Sequence, residues 1–467
     1  MNSINLTAEQ QRNLDSILRK YPLVKKIVHE IDAHGGQALL VGGAVRDLLL
    51  GLPVKDLDIE LHGLALNEVE KLLKKFGKVS TVGKVYGVLR VHKLDVDWSV
   101  PRTDASGRKP KVEIDPFMGI KKACARRDLT INAMAIDLSS KKLVDPWHGL
   151  KDLKKGILRA PDATLFLEDP LRFFRVMQFI GRFGFKPAKT LTALCKKMSI
   201  KDVSRERIET EFEKLLLKSK YPSDGIRWLA KIGRLDEILP ELAATRGVKQ
   251  EKSWHPEGDV FEHSMQALDA AAQLTYENDK EKLMMLYAAL CHDLGKVTTT
   301  KKIKGVIKSL GHEGESAIIA PKMLKRITHN KDLIAAVSKL VRHHMQPMQF
   351  IENGARPPAY RRLAHALAPD ITMEQLAKLA IADKRGRNSK SSRPLRKNFK
   401  DVQAFLKKAK NLKILTQDEK PLLQGRDLMD VAEPGPRMGA LLKKAYDIQV
   451  QEGISDKAEL KKRVLEE

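Results

Sequence analysis

The sequence predicts an α+β chain: a small α/β head with a mixed or antiparallel sheet, followed by an all-helical body and a further helical domain. Three observations carry that prediction. Strand-like apolar runs at 38–41, 57–61, 85–91 and 94–100 surround an amphipathic helical run at 65–76. From residue 171 to 250 the apolar spacing stays helical and strand signals disappear. Beyond residue 253, histidines and aspartates recur on helical runs. At 467 residues the chain is too long for one core, so about two to four domains are expected.

Composition narrows the partners. A formal charge of +26 points to a polyanion, with nucleic acid ahead of acidic membrane, although a basic balance can also be a solubility trait alone. Aromatics make up 5% of the chain, which argues against stacking on single strands and for recognition of backbone and shape. Cys124, Cys195 and Cys291 form no CxxC pair and read as reduced, buried thiols of a cytosolic protein. No basic-then-apolar leader opens the sequence, and no run approaches the roughly 18 apolar residues a bilayer requires, so a cytoplasmic location without membrane contact is expected.

In order along the chain, residues 5–34 carry apolar positions at helical spacing (Leu14, Ile17, Leu18, then Val24, Ile27, Val28, Ile31), broken near Tyr21-Pro22. Ala38–Val41 reads as a buried strand and Gly42-Gly43 as a turn where backbone can approach a ligand. Asp56 and Asp58 share one strand face by the two-residue repeat. Beside Gly-Gly and Arg46 they suit a divalent metal and phosphate; they suit a Gly-rich turn and solvated strand edge equally well. Asp95 and Asp97 on the last strand, ahead of Pro101-Arg102, could add a third carboxylate or form a surface salt bridge. Residues 103–121 are polar, basic and turn-rich, and read as a mobile loop. Arg126-Arg127-Asp128-Leu-Thr-Ile-Asn132 has side chains able to hold phosphate oxygens and ribose hydroxyls. Asp169 suits an N-cap with Pro170 first in the helix, and Arg172 lies close enough to act with Asp169 or to form an i,i+3 salt bridge.

Five of these stretches occur in the order of a known motif series. Gly-Gly-Ala-Val-Arg-Asp, Asp56-Leu-Asp58, Arg126-Arg-Asp-Leu-Thr-Ile-Asn-Ala-Met, Glu168-Asp-Pro-Leu-Arg172 and Ser204-Arg-Glu-Arg207-Ile resemble the class II tRNA nucleotidyltransferases, the bacterial CCA-adding enzymes and their poly(A) polymerase relatives. The resemblance spans roughly residues 30–250. It implies that Asp56 and Asp58 bind magnesium, with Asp97 a further catalytic carboxylate, and that tRNA, CTP and ATP are the partners. Gly42, Gly43 and Arg46 would line the triphosphate; Arg127, Asp128 and Asn132 fall on the ribose motif. Asp169 and Arg172 fall on the base template, and Arg102 and Arg175 join the nucleotide-binding set. The template makes chemical sense: cytosine and adenine each offer an amino donor beside a ring-nitrogen acceptor, which an Asp and an Arg complement, whereas uracil and guanine present the reverse. The 103–121 loop and the Lys-Lys-Ala-Cys-Ala before the double arginine depart from the family's wording, so CC-only, A-only or poly(A) addition stays open beside CCA addition.

The second half has its own chemistry. His255-Pro-Glu257 and His263, then His292-Asp293-Leu-Gly-Lys296, Gly311-His312 and His343-His344, suit a metal site built from facing helices, or simply hydrogen-bonded core histidines. As a set they resemble the HD phosphohydrolase domain. That resemblance implies His263, His292, Asp293 and Asp383 as first-metal ligands, with His312 and either His343 or His344 for a second metal, and an unidentified divalent transition metal bound there. The expected organisation is a nucleotidyltransferase head (1–150), a helical nucleotide- and tRNA-binding body (151–250), an HD domain (251–400) and a helical tail (401–467). A plain HD hydrolase with a degenerate RNA-binding head is the more distant alternative. The basic run at 385–413 reads as a solvated face or a phosphate-contacting surface.

Overall fold

The computed structural model describes residues 3–81, 87–104 and 112–466. They form two compact units, Met1–Glu211 and Phe212–Glu467, divided within the helix Arg205–Lys218.

The first unit contains strands β1 (Ser3–Asn5), β2 (Gln37–Val41), β3 (Leu57–His62), β4 (Val79–Thr81), β5 (Val88–Val91), β6 (Val96–Ser99), β7 (Arg102–Asp104), β8 (Val112–Ile114), β9 (Ala135–Asp137) and β10 (Lys142–Val144). Eight of them make one sheet in the order β1-β10-β9-β2-β3-β6-β5-β4. β3 and β6 are parallel and the other neighbours antiparallel, so the sheet is mixed. Thr7 and Gln10 cap the helix Ala8–Lys20 reciprocally, and Pro22 starts the helix Pro22–Ala33 at the position where its missing N–H costs nothing. That second helix packs on β2 and on the helices Ala8–Lys20 and Leu66–Lys74 and buries Val24, Ile27, Val28 and Ile31, each such burial being worth about 1.5–3 kcal/mol before chain entropy is subtracted. β2 is buried on both faces, as its unbroken Ala-Leu-Leu-Val run requires. β3 alternates instead: Leu57, Ile59 and Leu61 point into the core, Asp58 and Glu60 out of it. That alternation creates the site.

The loop expected at 103–121 is partly ordered backbone. β7 and β8 pair antiparallel, Arg102 opposite Ile114, and Ile120–Ala125 is helical; residues 105–111 lie outside the described residues, as do 82–86 at the start of the strand expected at 85–91. The helix expected at Asp169-Pro170 runs from Leu171 to Phe183, with Asp169 Oδ1 accepting the Leu171 N–H at 3.1 Å.

The second unit is helical, built on Val260–Ala272, Asp279–Cys291, His312–Leu324, Lys331–His343 and Met373–Arg385. One element there was not anticipated: a β-hairpin, Thr300–Ile303 with Val306–Ser309. Leu423, Leu428, Met438, Ile448 and Leu460 form a separate small core towards the C-terminus. All three cysteines are free and buried.

Candidate functional site

The first unit holds a cleft of about 290 Å³ whose wall includes Asp58, Glu60, Asp97, Ser99, Arg102, Arg126 and Arg127. Asp58 and Asp97 are register partners on the parallel strands β3 and β6, so their carboxylates leave the same face side by side. Loss of hydration raises the Asp58 pKa; Arg127 opposes this, and the neighbouring charges of Asp97 and Asp56 reinforce it. Two register-paired carboxylates, one of them reluctant to ionise, with a third just ahead of the strand, offer the oxygen ligands that magnesium takes. Asp97 is also held by Arg90, whose Nη2 donates to it at 3.0 Å. Asp56 stands exposed just ahead of β3.

Gly42 ends β2 at φ +72° and ψ −135°, a backbone region essentially reserved for glycine. A Cβ there would lie 2.8 Å from Arg127 Nη1. Gly42→Ala is therefore expected to cost about 1–3 kcal/mol of backbone strain and to push the Arg127 guanidinium aside. Thermal melts should show the loss; an unaltered melt would contradict this role for the turn.

Behind the cleft the motifs join in one buried chain. Arg46, expected along the triphosphate, is only 4% exposed and lies beneath the cleft rather than in its wall. Its Nε donates to Asp47 at 2.8 Å and its Nη1 to Asn132 at 2.6 Å, and it sits over the rings of Phe179 and Phe183. Asn132 Nδ2 donates to Asp128 at 2.9 Å, and Arg175 Nε reaches the other Asp128 oxygen at 2.7 Å. Burial works against the Asp128 anion, but Arg175 and Asn132 outweigh it and lower its pKa. Arg46, Asp128, Asn132 and Arg175 thus brace the turn, the double-arginine segment and the helix Leu171–Phe183 against each other.

The two template candidates do not touch each other through an ion pair. Asp169 is bridged by Arg207 Nη2 at 3.1 and 3.2 Å, whereas Arg172 donates to the carbonyls of Leu165 (2.5 Å) and Arg126. Arg207 had been quoted within a motif without a role. Glu60 was missed, although it continues the Asp56, Asp58 alternation; it faces Arg127 at 3.5 Å and His62 at 3.0 Å.

The second unit brings together His263, His292, Asp293, His312, His344 and Asp383, all at most 7% exposed. Asp293 Oδ2 lies 3.6 Å from His263 Nε2 and 3.4 Å from His292 Nε2, and His263 Nε2 is 3.0 Å from Asp383. Asp293 Oδ1 faces His312 Nε2 at 3.2 Å and His344 Nε2 at 3.9 Å. One carboxylate therefore stands between two histidine groups. His292, His312 and His344 each have Nδ1 held by a backbone carbonyl (Ala289, Ser309 and Val341, at 2.7–2.8 Å), leaving Nε2 turned inward as a ligating lone pair. Of the two adjacent histidines, His344 joins the cluster; His343, one helical step round, bonds Gln346 instead and lies outside it. Both Asp293 oxygens are buried without a hydrogen bond of acceptable angle, although Lys296 Nζ is 2.7 Å away. Such orphaned acceptors among inward imidazoles fit one or two divalent ions.

Several supporting residues had carried no assigned role. Glu257 Oε1 is hydrogen-bonded to His255 Nδ1 at 2.9 Å and lies 2.7 Å from His263 Nδ1 as a charge partner. Burial alone would lower the His263 pKa, but Asp383 and Glu257 outweigh it and lift it to about 9. Arg387 grips both oxygens of Asp383 at 2.9 Å, and Arg393 grips Asp224, so part of the basic run at 385–413 is spent on internal ion pairs. Gly295 is required by close packing, since a Cβ would meet the His312 carbonyl at 2.4 Å.

Residues 38–159 match a family model described as "Poly A polymerase head domain", 184–245 one described as "Probable RNA and SrmB- binding site of polymerase A", and 260–383 the HD domain. The Multifunctional CCA protein of Chromobacterium violaceum is 34% identical over 359 residues, 74% of this chain and 84% of that protein. That of Pasteurella multocida is 36% identical over 298 residues, 62% of this chain and 69% of that one. Among solved structures, a CCA-adding enzyme with ATP aligns over 100% of this chain and 99% of its own at 22% identity and TM-score 0.65. The Thermotoga maritima CCA-adding enzyme complexed with tRNA aligns over 96% and 95% at 22% identity and TM-score 0.60.

Proposed function

The chain belongs to the class II tRNA nucleotidyltransferase family, the family of the multifunctional CCA proteins, and from that premise we propose that it adds C, C and A to the tRNA 3′ end from CTP and ATP without a nucleic-acid template. The observation that supports this reading is the side-by-side placement of Asp58 and Asp97 in a cleft rimmed by Arg102, Arg126 and Arg127. Asp58, with Asp56 and Asp97, would hold magnesium, which when bound supplies positive charge to the triphosphate and makes the attacking hydroxyl more acidic. The tRNA 3′-oxygen attacks the α-phosphorus, the bond to the bridging oxygen breaks, and pyrophosphate leaves. The rim arginines bind the triphosphate oxygens and align them for that displacement, while the buried Arg46–Asn132–Asp128–Arg175 chain keeps the wall rigid.

Asp169 and Arg172 select the base on this reading. Arg172, held through two carbonyls, presents its guanidinium in a fixed direction, and Asp169 exchanges or shares its Arg207 partner to accept an amino group. Asp169→Ala is expected to narrow the preference for C and A over U and G by roughly 10-fold or more, since a mispaired buried polar contact is worth about 1–3 kcal/mol, with tRNA affinity little changed. Incorporation measured with each nucleotide in turn checks this; equal loss for all four with selectivity retained refutes it. The function itself is tested by supplying labelled CTP and ATP, singly and together, to a tRNA truncated before CCA. Two C additions with CTP alone and one A after them support CCA addition, whereas long A tails or a stop after one nucleotide type support the sister activities.

A second reading concerns the second unit. Asp293 between two inward-facing histidine groups favours a phosphohydrolase holding divalent transition metal, acting on phosphomonoesters or 2′,3′-cyclic phosphates. We place both activities in the cytoplasm; no helix among the described residues is long and apolar enough to cross a membrane.

A further inference from the structure

Between Lys296 and His312 the chain runs out and back as the hairpin Thr300–Ile303 with Val306–Ser309, turning at Lys304-Gly305, both at positive φ as two-residue hairpin turns favour. Its base is bonded to His312 of the histidine cluster at one end and, at the other, to Lys296, whose ammonium faces Asp293. Thr300 Oγ1 donates to the Lys296 carbonyl at 2.6 Å, and the Ser309 carbonyl holds His312 Nδ1 at 2.8 Å. A further tie runs from the Ile307 N–H to Glu251 at 3.1 Å.

One pair outward from that base, Lys301 stands directly opposite Lys308. Lys304 extends the charge at the tip, Lys302 stands on the other face of the ladder, and all four lysines are exposed, with no ion-pair partner among the described residues. Like charges facing each other across a ladder oppose its formation. Both strands of a two-stranded hairpin are edges, and one lysine on each would protect them from any register position, so edge protection does not require the two to face each other. A polyanion does: it would neutralise both charges at once, within one residue step of the bonds that anchor Lys296 and His312.

We propose that this hairpin is an RNA-backbone arm of the phosphohydrolase centre. Lys301 and Lys308 hold phosphates of a ribonucleotide strand whose 3′ end reaches the histidine cluster, and Lys304 at the turn extends the hold. The inference rests on the phosphohydrolase reading of the second unit.

The test is Lys301→Ala/Lys308→Ala in the full chain, which removes the like-charge pair and so leaves the ladder less opposed. Affinity for a short oligoribonucleotide ending in a 2′,3′-cyclic phosphate is measured across a salt series. Its log–log slope should fall by about 1.4, two charges at about 0.7 each. The ratio of kcat/KM for that oligonucleotide to kcat/KM for bis(p-nitrophenyl) phosphate should fall roughly tenfold. An unchanged slope overturns the arm. So does a reduced slope with an unchanged ratio, because the lysines would then touch RNA without serving the centre. If the wild-type chain hydrolyses neither compound, the phosphohydrolase reading fails on its own, and the slope alone decides whether the hairpin binds RNA.

Discussion

Asp58→Ala is expected to cut incorporation of both CTP and ATP by roughly a hundredfold to a thousandfold, while tRNA binding survives. The size follows from charge: removing a group that stabilises the transferring phosphoryl costs about 3–4 kcal/mol or more, and RT makes that two to three decades. Folding should move the other way. Asp58 has a raised pKa from lost hydration, with Asp97 and Asp56 adding repulsion, so its ionised form works against the folded state. A carboxylate whose folded pKa exceeds its unfolded one lowers stability as pH climbs through that window. The variant should therefore melt at or above the wild-type temperature at neutral pH without magnesium, with the gap closing in acid below the ordinary carboxylate range. Magnesium should stabilise the wild type more than the variant. A catalytic loss joined to a drop in melting temperature would instead mark Asp58 as a structural residue. Retained incorporation would remove the head from the chemistry altogether and leave the degenerate-head reading.

How far the sequence reaches is clearest on β3. The two-residue repeat put Asp58 on an open face, and the same rule extended by one step would have found Glu60. The parallel pairing that sets Asp97 beside Asp58 was not legible, because register between strands separated by about 40 residues depends on tertiary packing. Arg46 shows the opposite limit. Its motif position placed it along the triphosphate, but the direction of its guanidinium is decided by Phe179, Phe183 and Asn132, which lie far along the chain. Similarly, adjacent histidines on a helix point about 100° apart, and only the packed helices determine that His344 rather than His343 turns inward. The hairpin at 300–309 had a readable signal in Lys304-Gly305 between β-branched runs, overshadowed by the helical surroundings.

Asp293→Asn is the counterpart in the second unit, and its consequences separate metal binding from folding. The substitution keeps the shape of the side chain but removes the charge that faces both histidine groups. Metal content of the purified chain should fall to near zero, and phosphohydrolase turnover by roughly a thousandfold or more, because neither histidine group keeps its shared anionic ligand. Lys296 meanwhile loses its counter-charge, keeping only the Gln250 amide oxygen at 2.8 Å. Leaving a buried cation unpaired costs about 3–5 kcal/mol, so the metal-free variant should unfold at lower denaturant than the metal-free wild type. Lys296→Met in the Asp293→Asn background should recover much of that stability without restoring metal or turnover. CTP and ATP incorporation should persist in every one of these variants, as phosphohydrolase turnover should in Asp58→Ala. If Asp293→Asn retained its metal, the ion would belong to a different set of ligands, and the two inward histidine groups would be a hydrogen-bonded core rather than a centre.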